Sequence, residues 1–112
     1  MSKRNALLLL NDIIDSIQKI QKYTQAMSFN QFIQDDKTID AVIRNFEVIG
    51  EAANQLPLEF CEQYPQVQWR SMANFRNVLI HKYFGVDLQI IWEIIQSDLS
   101  NLKQQIQAIS NM

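Results

Sequence analysis

Apolar residues recur at helical spacing near the start of the chain. Between residue 3 and about residue 27 they step by four, three, four and three positions, which places them on one stripe of an amphipathic helix. The stripe consists of Ala6, Leu10, Ile13, Ile17 and Ile20. The spacing predicts a first long helix that packs this stripe against a core.

Three further apolar residues of this first segment, Leu8, Leu9 and Ile14, fall off the stripe. They make the N-terminal half of the predicted helix apolar on nearly all sides. A monomer rarely leaves such a surface in contact with water. We therefore expect this half of the helix to cover a second surface, which indicates an oligomer.

A second long helix follows a polar stretch over residues 28–36, which is either a connection or a short helix. Asp36 or Thr38 is the expected N-cap, and Pro57 cannot continue the helix beyond residue 56. Gly50 lies on its apolar face and would allow a close approach by another helix. That face comprises Ile39, Val42, Ile43, Phe46, Ile49, Gly50, Ala53 and Leu56.

Two more long helices are predicted after a short helical turn at residues 58–63. The third runs from about residue 68 to residue 84, with Gly85 as its C-terminal cap. Asp87 caps a fourth helix, in which apolar residues step by three and four without interruption. They are Trp92, Ile95, Leu99, Leu102, Ile106 and Ile109. The expected fold is all-α, an antiparallel four-helix bundle with short extra helical turns, formed as one domain over residues 1–112.

The composition agrees with a helical globular domain. Of the 112 residues, 47% are hydrophobic and 20% are charged, which argues against disorder, and two Gly and two Pro leave little turn chemistry for a β-sandwich. Cys61 has no second cysteine with which to form a disulfide, so we expect a reducing, cytoplasmic setting. The apolar run at residues 6–10 is too short for a signal peptide or a membrane span.

The positive charge is concentrated in one segment. Residues 63–86 contain no carboxylate and carry +3 through Arg70, Arg76 and Lys82, which leaves −5 for the rest of a chain whose net charge is −2. The overall charge argues against nonspecific nucleic-acid binding by the whole surface, because such binding requires Lys and Arg to displace counterions. The distribution of charge matters more than the sum, because the basic charge is segregated in this one segment.

The third helix also holds the candidate chemistry. Helical geometry places Arg76 in the middle of the apolar arc, and it places Asn77 and His81, four residues apart, at the edge of that arc. A buried guanidinium without a partner would cost several kcal/mol. One explanation is a structural ion pair between Arg76 and Glu47 or Glu51, with His81 an ordinary packed or surface residue. The sequence has no ligand spacing typical of zinc and no phosphate-binding glycine loop, so metal-free acid–base chemistry remains the other possibility.

Residues 76–83 read Arg76-Asn77-Val78-Leu79-Ile80-His81-Lys82-Tyr83. This segment resembles the signature of HEPN-domain proteins, in which an Arg and a polar residue precede a His, with four residues between Arg and His. A Tyr two places after the His is characteristic of the HepT-like toxins. Arg44 with the stretch Ile49-Gly50-Glu51-Ala52 is similar to another recurrent stretch of that branch.

The resemblance implies a dimeric, metal-independent endoribonuclease toxin that needs no cofactor. It also implies a partner, a minimal nucleotidyltransferase antitoxin that transfers AMP to Tyr83. The residue types suit this chemistry. His81 can exchange protons with RNA hydroxyls because imidazole ordinarily titrates near pH 6.5. Arg76 can hold the scissile phosphate, and Asn77 can bind that phosphate or orient His81.

On one helix, however, Arg76 and His81 point about 140° apart and lie about 7.5 Å apart along the axis. A twofold dimer would bring a second copy of the helix across the cleft and complete the site. Arg70 and Lys82 are candidates to contact the RNA backbone, although either is equally well explained as a solvated surface charge.

Two other functions are compatible with the same residues. In the first, the protein is a non-catalytic, nucleotide- or substrate-binding partner subunit of a nucleotidyltransferase, and Arg76 and His81 grip a phosphate. In the second it is a helical dimerisation module in which Arg76 is paired structurally. The basic segment over residues 63–86 counts mildly against the second.

Overall fold

The structure, a computed structural model, describes the backbone of residues 3–81 and 87–110 and the side chains of residues 5–75 and 87–110. This part of the chain contains seven helices and no β-strand. None of these helices is long and apolar enough to cross a membrane. The helices are α1 (Lys3–Thr24), α2 (Phe29–Ile33), α3 (Asp36–Gln55), α4 (Leu58–Gln63), α5 (Trp69–His81), α6 (Leu88–Ser97) and α7 (Leu99–Ser110).

The predicted fold class is confirmed. The four long members of the bundle are α1, α3, α5 and the α6–α7 pair, while α2 and α4 are the expected short extra helices. Helix α3 packs against both α1 and α5, and α7 packs against α1. Helix α3 therefore connects the helix that carries the candidate chemistry to the rest of the bundle.

The apolar stripe predicted for the first helix lies in the core. Its five residues, Ala6, Leu10, Ile13, Ile17 and Ile20, are all at most 2% exposed. The off-stripe residues behave differently from one another: Leu9 and Ile14 are half-buried against the same core, whereas Leu8 is 55% exposed. The surface left for a second protein chain is thus smaller than the sequence indicates.

The first long helix ends at Thr24 rather than near residue 27, because the chain turns there. Ala26 has a φ of 63°, a left-handed conformation that is uncommon for any residue except glycine, so the sequence gives little warning of it. Ser28 then caps α2 through a reciprocal pair of hydrogen bonds with Gln31. Helix α2 buries Phe32, whose ring lies 5.2 Å from that of Trp92.

The predicted N-cap of the second long helix, Asp36 or Thr38, is wrong by one residue or more. The cap is Asp35, whose Oδ1 accepts a hydrogen bond from the Thr38 backbone N–H at 3.1 Å. This bond lowers the pKa of the Asp35 carboxyl from its usual value. Asp35 and Asp36 are equally good caps by residue type, and the backbone decides between them, since Asp35 is extended whereas Asp36 is already helical.

The fourth predicted helix is not continuous. Asp87 caps α6 as expected, accepting hydrogen bonds from the backbone N–H groups of Gln89 and Ile90, but the helix is interrupted at Asp98 and resumes as α7. The two segments have different neighbours, since α6 contacts α2 and α7 packs on α1. The break in the helix allows apolar residues of one continuous spacing to pack against two different helices.

The core stripe of α1 gives a direct test of the fold. We expect Leu10→Ala to lower the free energy of unfolding by about 2–5 kcal/mol, because Leu10 is fully buried and the truncation leaves a cavity. Leu58→Ala is the matched control, since Leu58 is 72% exposed and its loss should cost less than about 0.5 kcal/mol. Urea denaturation at one fixed protein concentration measures both variants, and equal effects would contradict the placement of the α1 stripe.

Candidate functional site

Helix α5 carries four of the six predicted site residues: Arg70, Arg76, Asn77 and His81. The other two, Lys82 and Tyr83, lie outside the described residues, as does the expected continuation of this helix to residue 84 with its Gly85 cap. The side chains of residues 76–81 also lie outside the described part. The structure therefore places the backbone of the candidate catalytic residues on one helix.

The first turn of α5 is anchored by an aromatic cluster formed with α4. The indole N–H of Trp69 donates a hydrogen bond to the Tyr64 carbonyl oxygen at 2.9 Å, and the ring of Phe60 lies 6.1 Å from that of Trp69 and 5.2 Å from that of Tyr64. Trp69 is 8% exposed. The start of α5 is thus fixed by two contacts of Trp69, one with the backbone of Tyr64 and one with the ring of Phe60.

The middle of α5 is held against α3. Phe75 meets Phe46 edge to face, with ring centroids 5.3 Å apart and an interplanar angle of 80°, a favourable geometry for two aromatic rings. Met72, one turn earlier, is 1% exposed. Arg76 follows Phe75 directly, so the packing of α3 on α5 determines where the candidate residues begin.

The backbone positions of the candidate residues continue two different lines of residues on α5. Trp69 and Met72 are buried, and position 76 continues their line at a spacing of four. Arg70 and Asn74 are exposed, and positions 77 and 81 continue that outer line at spacings of three and four. The backbone therefore keeps the predicted separation of Arg76 from Asn77 and His81, and it brings Arg70 onto the same line as His81.

The carboxylates proposed as structural partners of Arg76 lie on α3. Glu47 is half-buried, and Glu51 is exposed and accepts a hydrogen bond from Gln55 Nε2 at 3.1 Å. Both line a shallow groove between α1 and α3, together with Arg44 and Asp12. Of the residues quoted for the resemblance on this helix, Arg44, Glu51 and Ala52 line this groove, whereas Ile49 and Gly50 are buried. The sequence alone did not reveal that Asp12 of α1 joins the residues of this groove.

The structure contains a second groove that the sequence did not predict. It lies between the end of α1 and the junction of α6 with α7, and it contains Lys22 and Lys103. Gln21 and Ser100 touch across it although they are 79 residues apart in the chain. No local pattern indicates that residues so distant in sequence meet.

The cysteine and the metal-binding residue types add no further candidate. Cys61 is half-buried, and burial together with the charge of Glu62 raises the pKa of its thiol, which disfavours the nucleophilic thiolate. Among the side chains that the structure describes, no three histidine, cysteine or carboxylate groups converge to hold a metal ion.

Comparison with known proteins identifies the family. The model of the family described as "Ribonuclease HepT-like" matches residues 13–109, a range that includes all of α5 and every predicted site residue. The chain belongs to the HepT-like ribonuclease family, as the resemblance of its signature implied. No solved structure matches the chain.

Relatives from three organisms cover nearly all of the chain. A protein of Methanocaldococcus jannaschii named "Putative RNase MJ0127" is 43% identical over 97% of this chain and 90% of its own length. A "Probable ribonuclease HepT" of Thermococcus cleftensis is 42% identical over 90% and 92% of the two chains. A protein of Caldanaerobacter subterraneus subsp. tengcongensis, named "Putative RNase TTE0752", is 37% identical over 89% of each.

Proposed function

We propose that the protein is a metal-independent endoribonuclease toxin whose active site is built from Arg76, Asn77 and His81. The observation that carries this proposal is the family match over residues 13–109, within which these three residues lie on the single helix α5. The aromatic anchors at the start of α5 and the Phe46–Phe75 contact give the helix the fixed position that a catalytic helix requires.

In this reaction the imidazole of His81 accepts the proton of an RNA 2′-hydroxyl while the 2′-oxygen attacks the adjacent phosphorus. The bond from phosphorus to the 5′-oxygen breaks, and the leaving oxygen receives a proton either from the same His81 or from the His81 of a second copy of the chain. The products are a 2′,3′-cyclic phosphate and a 5′-hydroxyl. Arg76 holds the charged phosphate oxygens, and Asn77 hydrogen-bonds the phosphate or orients His81.

The separation of Arg76 from His81 supports a site shared by two chains. Position 76 continues the buried line of α5, whereas position 81 continues the outer line. A twofold axis beside α5 would place the Arg of one copy near the His of the other. We propose a homodimer that uses α1 and α5, and the exposed Leu8 supplies apolar surface for it.

Two further roles complete the proposal. Arg70 lies exposed on the same line of α5 as position 81, which suits a contact with the RNA backbone, and Lys82 is the second such candidate. Tyr83 is the proposed acceptor of AMP from a nucleotidyltransferase antitoxin. Its hydroxyl oxygen would attack the α-phosphorus of ATP and release pyrophosphate, leaving a phosphate charge and a nucleotide where the RNA must dock.

The catalytic assignment is tested by replacing its residues. We expect His81→Ala and Arg76→Ala each to lower the cleavage rate of single-stranded RNA by at least about 100-fold, because each removes an acid–base or electrostatic contribution to the transition state. Fluorescent RNA and chromatography of the cyclic-phosphate product measure this. EDTA should leave the wild-type rate unchanged, and the rate should vary with pH near 6.5, the ordinary pKa of histidine.

Ser71→Ala is the control, because Ser71 is an exposed polar residue of the same helix that lies off the line shared by Arg70 and positions 77 and 81. Cleavage retained in His81→Ala would assign the chemistry elsewhere. A wild-type protein that binds a nucleotidyltransferase and nucleotides but never cuts RNA would instead be the partner subunit of that enzyme. Unfolding of Arg76→Ala would favour the structural ion pair with Glu47 or Glu51.

The proposed dimer is tested by light scattering at micromolar concentration, which should give twice the 13.1 kDa mass of the chain. We expect Leu8→Asp to shift the protein towards the monomer and to reduce cleavage, since a carboxylate would be buried in the interface. Leu58→Asp makes the same substitution at an exposed leucine of α4 and should change neither property. A monomeric wild type would rule out the shared site.

The role of Tyr83 is tested by co-expression with the nucleotidyltransferase. Tyr83→Phe should retain nuclease activity but escape silencing by the nucleotidyltransferase and ATP, because the acceptor oxygen is gone. Intact-mass analysis should show one or more AMP additions on the wild type and on Tyr23→Phe, a control at a 40% exposed tyrosine of α1. AMP addition to Tyr83→Phe, or none to the wild type, would contradict the assignment.

A further inference from the structure

The groove between the end of α1 and the α6–α7 junction has an unusual set of lining groups. Its described lining residues include two lysines and four glutamines but no carboxylate. This is notable in a chain with a net charge of −2. The polar groups that matter most are Gln18, Gln21, Lys22, Gln25, Ser100 and Lys103. The groove thus offers cationic and neutral hydrogen-bonding groups to a ligand.

A hydrogen-bond network fixes part of this lining. Gln21 lies at its centre: its Nε2 donates to Ser100 Oγ at 3.1 Å, and its Oε1 accepts from Lys103 Nζ at 3.4 Å. Lys103 is half-buried, and its ammonium group is thereby held at the groove, while Lys22 is exposed on the opposite side. The network arranges a hydroxyl, an amide and an ammonium group before any ligand arrives.

Two other grooves show that this lining is not general to the surface. The groove beside Lys37 also contains Asp35 and Asp36, so its single ammonium faces two carboxylates. The groove between α1 and α3 sets Arg44 against Asp12, Glu47 and Glu51. In both, carboxylates outnumber cations, and a polyanion would be repelled. The groove with Lys22 and Lys103 has the opposite balance.

We propose that this groove, which we call the lysine groove, binds a backbone phosphate of the RNA at a distance from the bond that is cut. The inference rests on the proposed function in that RNA is taken as the ligand. Phosphate oxygens accept from lysine, glutamine and serine, the groups that usually contact nucleic-acid backbones without reading sequence. The glutamine amides can also pair with ribose hydroxyls, which donate and accept. An acidic polypeptide would use the lysines but has no comparable need for the glutamines.

The position of the lysine groove makes its effect depend on RNA length. None of its described lining residues belongs to α5, which carries Arg76, Asn77 and His81. A dinucleotide bound for cleavage would leave the groove empty, whereas a longer strand could occupy both. The groove should therefore contribute to the binding of long RNA and contribute nothing to the reaction of a dinucleotide.

The test compares Lys22→Gln, Lys103→Gln and the double variant with Lys37→Gln, which removes the same charge from the groove that holds Asp35 and Asp36. Binding of a 20-nucleotide RNA is measured in a His81→Ala background, so that the strand stays intact. Removing one ammonium group that binds a phosphate should reduce the slope of log affinity against log salt by about 0.7, so the double variant should show a reduction of about 1.4. Lys37→Gln should keep the wild-type slope.

Cleavage measurements separate this inference from the proposed function. With His81 intact, the double variant should raise KM for the long RNA while the rate on a dinucleotide stays unchanged. If the protein binds RNA through the lysine groove but never cuts it, the proposed function is wrong, and the assignment of the groove as an RNA-binding site is supported. If the protein cuts RNA, and the lysine-groove variants show the same slope of log affinity against log salt as Lys37→Gln, the groove assignment is overturned. The groove assignment would also be overturned if the two lysines were needed for binding poly-glutamate and the protein did not bind RNA.

Should Lys103→Gln lower the melting temperature because its hydrogen bond to Gln21 is gone, the single variant Lys22→Gln decides the question. Lys22 is exposed, and its replacement should leave the fold intact. A slope reduced by about 0.7 in this variant alone supports the groove. An unchanged slope there contradicts it.

Discussion

The packing of α3 against α5 is the interaction on which the candidate site depends. Helix α5 has 13 residues, a length at which an isolated helix is marginal in water, so its position must come from tertiary packing. The edge-to-face pair of Phe46 and Phe75 and the burial of Met72 supply it. Because Arg76 follows Phe75 directly, any rearrangement of this aromatic pair would move the residues to which we assign the chemistry.

The apolar spacing predicted the buried faces of α1 and α3 well, because burial determines which residues form the inner stripe. All five α1 stripe residues are buried, and Gly50 and Ala53 lie on the buried side of α3 as expected. The boundaries were less predictable, since they depend on backbone conformations that residue type does not determine. Ala26 takes a left-handed conformation, and Asp35 rather than Asp36 is extended and caps α3.

Long-range relations could not be predicted from the sequence. The apolar pattern of the last predicted helix does not reveal its interruption at Asp98. The spacing of three and four continues across this residue, although α6 contacts α2 and α7 contacts α1. The lysine groove depends on a hydrogen bond between Gln21 and Ser100, residues with no local relation. The candidate residues of α5 could be proposed from the sequence because their signature is local, whereas the groups that we propose to hold the rest of an RNA strand come from separate helices.

The two tryptophans lie at different junctions of the bundle, and this gives the protein two built-in optical reporters. The indole of Trp69 is tied to Tyr64 at the junction of α4 and α5, and that of Trp92 packs against Phe29 and Phe32 between α2 and α6. In a variant in which one tryptophan is replaced, the fluorescence of the other therefore reports on a single junction. Loosening of the α5 anchor would change the emission of Trp69, while the emission of Trp92 would report on the other junction.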